Sequence, residues 1–222
     1  MNSKGIKRFC IKCGNPFYDL NKKPIPTKCY NHRSIIKEEI IPNLKEKYKI
    51  LSAGYYIPQR FRSNANINDL HHSVRIMNGL KECKTDDLNY FTEYLNNIIF
   101  SDYDEGLVIC CVPSSRAYYF ESGIHKIINQ ICKIRNFING SDYLIRTENI
   151  PKKHLQSGYR TKEIDYKTIK LKDSKILTGK KVLLIDDITT TGNSIYACRD
   201  KIVEDKPLSI EFFTFGITKN EF

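Results

Sequence analysis

From residue 106 to residue 217 short, unbroken apolar runs alternate with stretches whose apolar residues recur at helical spacing, and few folds accept that rhythm. "GLVICCVP" (106–113) is continuously apolar and stops at a proline, as a strand buried on both faces does. Ile124, Ile127, Ile128 and Ile131 then fall at i, i+3, i+4 and i+7, the single apolar face of a helix. "DYLIR" (142–146) reads as a second strand, "KVLLID" (181–186) as a third and "LSIEFFTFGI" (208–217) as a fourth. Ile195, Cys198 and Ile202 mark a helix between the last two. Apolar strands separated by helices predict an α/β domain, a parallel sheet with helices on both faces.

The rest of the chain differs in composition. Residues 1–40 carry three cysteines, a histidine and three prolines with little apolar periodicity, and read as a small separate unit. Residues 41–100 read as mainly helical after an irregular start, with Leu88, Phe91, Leu95 and Ile98 at helical spacing. His71 and His72 within them read as surface residues. Residues 101–222 hold the α/β core, and the lysine-rich 147–178 has no clean period.

Ligands of such sheets bind beyond the carboxyl ends of the strands. After the third strand comes "DDITTTGNS", nine residues with two acids, four hydroxyls and a glycine. Thr190, Thr191 and Ser194 offer hydroxyl donors, Gly192 lets the backbone approach an anion, and the next helix brings free N–H groups and a positive dipole end. Asp186 and Asp187 repel a phosphate, but accept hydrogen bonds from sugar hydroxyls, directly or through a hard ion such as Mg²⁺. A phosphorylated polyol satisfies both halves. The GxxxxGK[ST] signature of nucleotide-binding P-loops occurs nowhere.

"VLLIDDITTTGNS" resembles the phosphoribosyl-pyrophosphate (PRPP) binding motif of type I phosphoribosyltransferases. The resemblance implies that family's core and makes Asp186 and Asp187 the catalytic, ribose-binding acids, with Thr189, Thr190, Thr191, Gly192, Asn193 and Ser194 completing the PRPP site. Thr189 departs from the aliphatic residue many members carry. "VPSSRA" stands where the family has its pyrophosphate loop, which assigns that role to Ser114, Ser115 and Arg116. Residues 147–178 correspond to the family's mobile loop, with Arg160 and Lys162 as its basic members beside His154 and Gln156. Mg²⁺ accompanies PRPP in that reaction, pyrophosphate leaves, and the acceptor is a nitrogen nucleophile, usually a nucleobase.

Cys10-x2-Cys13, fifteen residues, then Cys29-x2-His32 is metal-ligand spacing, and four such donors suit a closed, structural Zn²⁺. A zinc ribbon ahead of this core resembles the ComF-like subgroup, linked with competence and DNA uptake. The other cysteines are scattered; Cys110 and Cys111 point to opposite sides of one strand, and all five read as small buried hydrophobes. With 41% apolar and 27% charged residues, and no long apolar run, the chain reads as globular, without membrane span or signal peptide, and cytoplasmic. A net charge of +11 attracts anions, whether a phosphorylated substrate or nucleic acid, although a lysine-rich solvated surface explains it as well. A second reading therefore stays open: a non-catalytic PRPP sensor or nucleic-acid accessory protein. The residues do not name the acceptor, and oligomers are possible.

Overall fold

The computed structural model describes residues 6–9, 16–19, 35–40, 47–100, 103, 105–150, 161–172 and 175–219. In chain order the elements are β1 (Ile6–Phe9), β2 (Pro16–Asp19), β3 (Ile35–Ile40), β4 (Lys47–Ser52), β5 (Tyr55–Tyr56), α1 (Ile67–Arg75) and α2 (Thr85–Tyr94). There follow β6 (Val108–Cys111), α3 (Gly123–Arg135), β7 (Ile138–Gly140), β8 (Leu144–Arg146), α4 (Lys162–Thr168), β9 (Ile169–Leu171), β10 (Lys181–Thr189), α5 (Asn193–Val203) and β11 (Ser209–Thr218). α1 and α2 each run on into a wider π-helical turn, Ile76–Lys81 and Leu95–Ile99.

Seven strands form the central sheet in the order β3-β4-β11-β10-β6-β7, with β5 also on β11. Every pairing is parallel except that of the edge strand β3 with β4. The strands alternate between two cores. Ile109, Cys111, Leu183, Ile185, Phe213 and Phe215 pack under α2, α3 and the turn after α1. Val108, Cys110, Val112, Val182, Leu184 and Phe212 face α5 and β8–β9. Cys110 and Cys111 thus lie on opposite faces, as their adjacency requires. The sequence-predicted face of α2 is buried as well: Leu88, Phe91, Leu95 and Ile98 all join the first core.

The central sheet departs from expectation in three places. Its strand beside β6 is β7, not 142–146; Leu144–Arg146 is a strand, but pairs with β9 in a separate antiparallel ribbon. Gly140 suits the tight place in β7, since a Cβ there would lie 2.9 Å from Cys110 Sγ and Val108 Cγ1. Residues 47–56, expected to be an irregular lead into helices, supply β4 and β5, whose partner β11 lies far along the chain. β10 does not end at the acids but runs on to Thr189, because β11 keeps pairing with it (Ile188 with Gly216, Thr189 with Ile217) after β6 has left.

His72, expected at the surface, is buried, its Nε2–H donating to the Phe215 carbonyl at 2.7 Å and its ring edge-on to Phe91. No helix among the described residues is long and apolar enough to cross a membrane.

Candidate functional site

The site forms where β6 and β10 part. They stay paired up to Cys111 and Ile185, and the Val112 N–H still donates to the Ile185 carbonyl at 2.9 Å. Beyond that point Asp186 and Asp187 have β11 on one side and the chain leaving β6 on the other. Asp186 is buried and Asp187 half-buried. Each carboxylate is turned by its own backbone: Asp186 Oδ1 accepts the Asp187 N–H at 2.9 Å, and Asp187 Oδ1 accepts the Ile188 N–H at 2.6 Å. Oδ2 of Asp187 faces a cation, the Lys81 ammonium from the end of the turn after α1. Carboxylate oxygens are the hard donors a divalent ion takes, although Oδ2 of Asp187 is held by Lys81 here. Among the described residues no group of three or more acids, histidines or cysteines is placed to hold one. A metal here would therefore share its shell with ligand oxygens.

The hydroxyl turn follows directly. Thr189 is buried in the strand, while Thr190 and Thr191 are exposed. Thr190 Oγ1 lies 2.8 Å from Thr218 Oγ1, and Thr191 Oγ1 accepts the Asn193 N–H at 3.4 Å. Gly192 caps α5 with φ +84 and no side-chain hydrogen bond, a conformation that favours glycine. Any Cβ on it would also come within 2.7 Å of the Tyr196 ring. Thr191 Oγ1 takes the first N–H of this helix, and the helix start is also the positive end of its dipole, which is where anions bind. Ser194 does not join the exposed hydroxyls: it is buried and donates to Asp165 Oδ2 at 3.0 Å.

Asp165 leads to Arg146, which sequence reasoning placed at a strand end but gave no role. It is fully buried and pairs with Nη2 of Arg146 at 2.8 Å, the arginine being 1% exposed. Arg146 also donates through Nη1 to Thr168 Oγ1 at 2.5 Å and through Nε to the Ser114 carbonyl at 2.8 Å. One buried cluster thus ties the loop after β6 to the start of α5. Alternation was the available signal, since Leu144 and Arg146 share the buried side of β8. Asp165 and Lys81 carried no comparable signal.

The segment from Thr147 to Ile150 supports the Ser114–Ala117 loop. The Ala117 N–H donates to Asn149 Oδ1 at 2.8 Å, and the Ile150 N–H donates to the Ser115 carbonyl at 2.9 Å. Ser114 and Ser115 are half-buried there. Arg116 is exposed, with its guanidinium carbon 3.6 Å from the centre of the Tyr119 ring. Lys162, expected in a mobile loop, opens α4 and pairs with Asp200 of α5 at 2.5 Å. Arg160, His154 and Gln156 lie outside the described residues, as do Cys10, Cys13, Cys29 and His32. The strands that flank Cys10 and Cys13 in sequence, β1 and β2, pair antiparallel with Phe9 opposite Pro16.

Burial holds the core thiols protonated. It pushes Cys110 up to about 12, and Cys111 and Cys198 well above the ordinary thiol range, so none of them serves as a thiolate nucleophile.

Known proteins add little to this geometry. Residues 2–50 match the family model described as a protein of unknown function (FYDLN_acid), whose name letters stand here at Phe17–Asn21. The match spans less than a quarter of the chain and encloses all four expected zinc ligands. No curated protein matches. Among solved structures the chain is similar to a hypoxanthine phosphoribosyltransferase from Staphylococcus aureus, at 18% identity and a TM-score of 0.37, over 67% of this chain and 71% of that one. So loose a likeness says nothing about chemistry.

Proposed function

We propose that the chain is a Mg²⁺-dependent phosphoribosyltransferase that binds PRPP and passes its phosphoribosyl group to a nitrogen nucleophile, a nucleobase by class, with release of pyrophosphate. One observation carries the reading: two adjacent carboxylates at the parting of parallel strands run directly into a hydroxyl turn and a helix N-terminus. That arrangement suits a ligand with a sugar diol at one end and a phosphate at the other. The motif resembling the PRPP site of type I phosphoribosyltransferases, closest to the ComF-like subgroup, supports it.

Asp186 and Asp187 would accept the ribose hydroxyls and hold Mg²⁺ between them and the ligand. When bound, that ion would neutralise charge on the departing diphosphate. Thr190, Thr191 and the α5 N–H groups would fix the 5-phosphate, so that the ribose is held at both ends before reaction. The Ser114–Arg116 loop, anchored from beneath by Arg146, would offer backbone N–H groups, hydroxyls and a guanidinium to the leaving pyrophosphate. The bond from C1 to the pyrophosphate oxygen breaks as the bond from C1 to nitrogen forms, and the proton that nitrogen carried leaves with the pyrophosphate or to water. Catalysis is then mainly positioning and fixed electrostatics.

For the N-terminal segment we propose a structural Zn²⁺ held by Cys10, Cys13, Cys29 and His32, three thiols and an imidazole being a closed tetrahedral donor set.

The test is pyrophosphate release from PRPP and Mg²⁺ over a panel of nucleobases. Release is expected with one acceptor, and Asp187→Asn should lower turnover by at least about a hundredfold with circular dichroism unchanged. PRPP binding without release for any base would replace the transferase by the sensor, and undiminished turnover in Asp187→Asn would remove the assigned role.

A further inference from the structure

We propose that Lys81 is a third charged member of the Asp186–Asp187 site: it holds Asp187 while the site is empty and turns onto the anionic sugar phosphate when the diol takes Asp187 over. The proposal rests on the PRPP reading and adds to it a residue from outside the motif.

Geometry places Lys81 there and fixes its base. The Lys81 ammonium pairs with Asp187 Oδ2, although the two residues lie in different thirds of the chain. Its backbone has little freedom. A Cβ on Gly123, the first residue of α3, would lie 2.3 Å from the Gly79 carbonyl oxygen and 2.6 Å from Leu80 Cα. On its other side Gly79 faces the Asp87 backbone, where a Cβ would sit at 3.2 Å, and Leu80 itself is 2% exposed. The turn that ends in Lys81 is therefore wedged between α2 and α3, and the lysine starts from a set point.

The side chain beyond that point is 48% exposed. An ion pair so open to water contributes little to stability, so the need to fold does not explain why it reaches Asp187. Its chemistry does. Two adjacent carboxylates repel the phosphates of the ligand they are to bind, and a neighbouring ammonium offsets that repulsion. A sugar hydroxyl donating to Asp187 occupies the oxygen that Lys81 now faces. The flexible four-carbon stem then lets the ammonium swing to a phosphate oxygen beside it, where a charge-assisted hydrogen bond is stronger than an exposed ion pair. An arginine keeps the charge and the reach; a methionine keeps only the stem.

The experiment is calorimetric titration of the full chain with PRPP in the presence of Mg²⁺. Lys81→Met should weaken binding by about tenfold or more, Lys81→Arg should stay within about threefold of wild type, and thermal midpoints should hardly move. Wild-type chain that takes up no PRPP overturns the functional reading and this inference with it. Wild type that binds while Lys81→Met binds equally well overturns this inference alone. A loss that Lys81→Arg fails to restore assigns the effect to packing, and the charge role falls.

Discussion

Arg146 shows how much one residue organises here. Its guanidinium reaches the Ser114 carbonyl, Thr168 and Asp165, and Asp165 in turn holds Ser194, so one buried charge pair joins the two loops proposed to grip opposite ends of PRPP. Both partners are essentially without solvent contact. Removing one leaves the other buried and uncompensated, a cost of about 3–5 kcal/mol. Arg146→Met should therefore lower the urea midpoint by that equivalent at unchanged m-value, whereas Lys81→Met should shift it by under about 1 kcal/mol. Equal, small shifts in both would show that the cluster is not the hub drawn here. Ser194 illustrates the complementary point. Its place in the motif suggested a phosphate contact, and only the fold of α4 turned it inward.

At the scale of elements, α3 is the member most constrained at its start. Gly123 admits the close approach to Gly79 and Leu80, and His125 in the next half-turn is buried between loop and sheet. Ser122 Oγ lies 2.7 Å from its Nδ1, Cys111 Sγ lies 3.5 Å from its Nε2, and the Phe120 ring is edge-on. Burial lowers the His125 pKa, outweighing the opposing pull of Asp142 and the Ser141 backbone. The unfolded chain, whose histidine titrates near about 6.5, then binds the proton more readily than the folded one. His125 thus favours folding fully above that pH, and its contribution is lost as pH falls toward the lowered folded value. Unfolding free energy measured in urea from pH 8 to pH 5 should decline below about 6.5, and His125→Gln should flatten that decline. An unchanged slope would exclude His125 as its source.

Among the described residues the seven-stranded sheet has two differently built faces. Helices from residues 67–135 cover one side, with Phe91, Phe213 and Phe215 stacked edge to face inside it. α5 and the β8–β9 ribbon cover the other. The acids emerge at the carboxyl end of a central strand, the cation that faces them comes from the helical layer, and the anchoring arginine comes from the ribbon. Ahead of this lies the segment proposed to bind zinc. Atomic absorption on the purified chain should find about one Zn²⁺ per molecule, and Cys13→Ser should lose it. A chain that carries no zinc when purified without chelator would remove that proposal. Chelation should leave the Asp186–Asp187 site able to bind PRPP, because no zinc donor belongs to it.

By itself the sequence determined the elements whose causes are local. Continuous apolar runs specified buried parallel strands, a 3.6-residue period specified the inward faces of α2, α3 and α5, and "DDITTTGNS" pointed to a polar site, of which the fold buries Asp186, Thr189 and Ser194. Tertiary structure alone decided what depends on partners distant along the chain. β4 becomes a strand by pairing with β11, and β10 continues past the acids because β11 continues beside it. "DYLIR" leaves the central sheet for β9, and His72 is buried by reaching the Phe215 carbonyl. Lys81 and Asp165 join the site only through packing between helices and sheet. A residue's own neighbours in sequence fix its preference for strand, helix or turn; which charges finally meet is fixed by packing across the molecule.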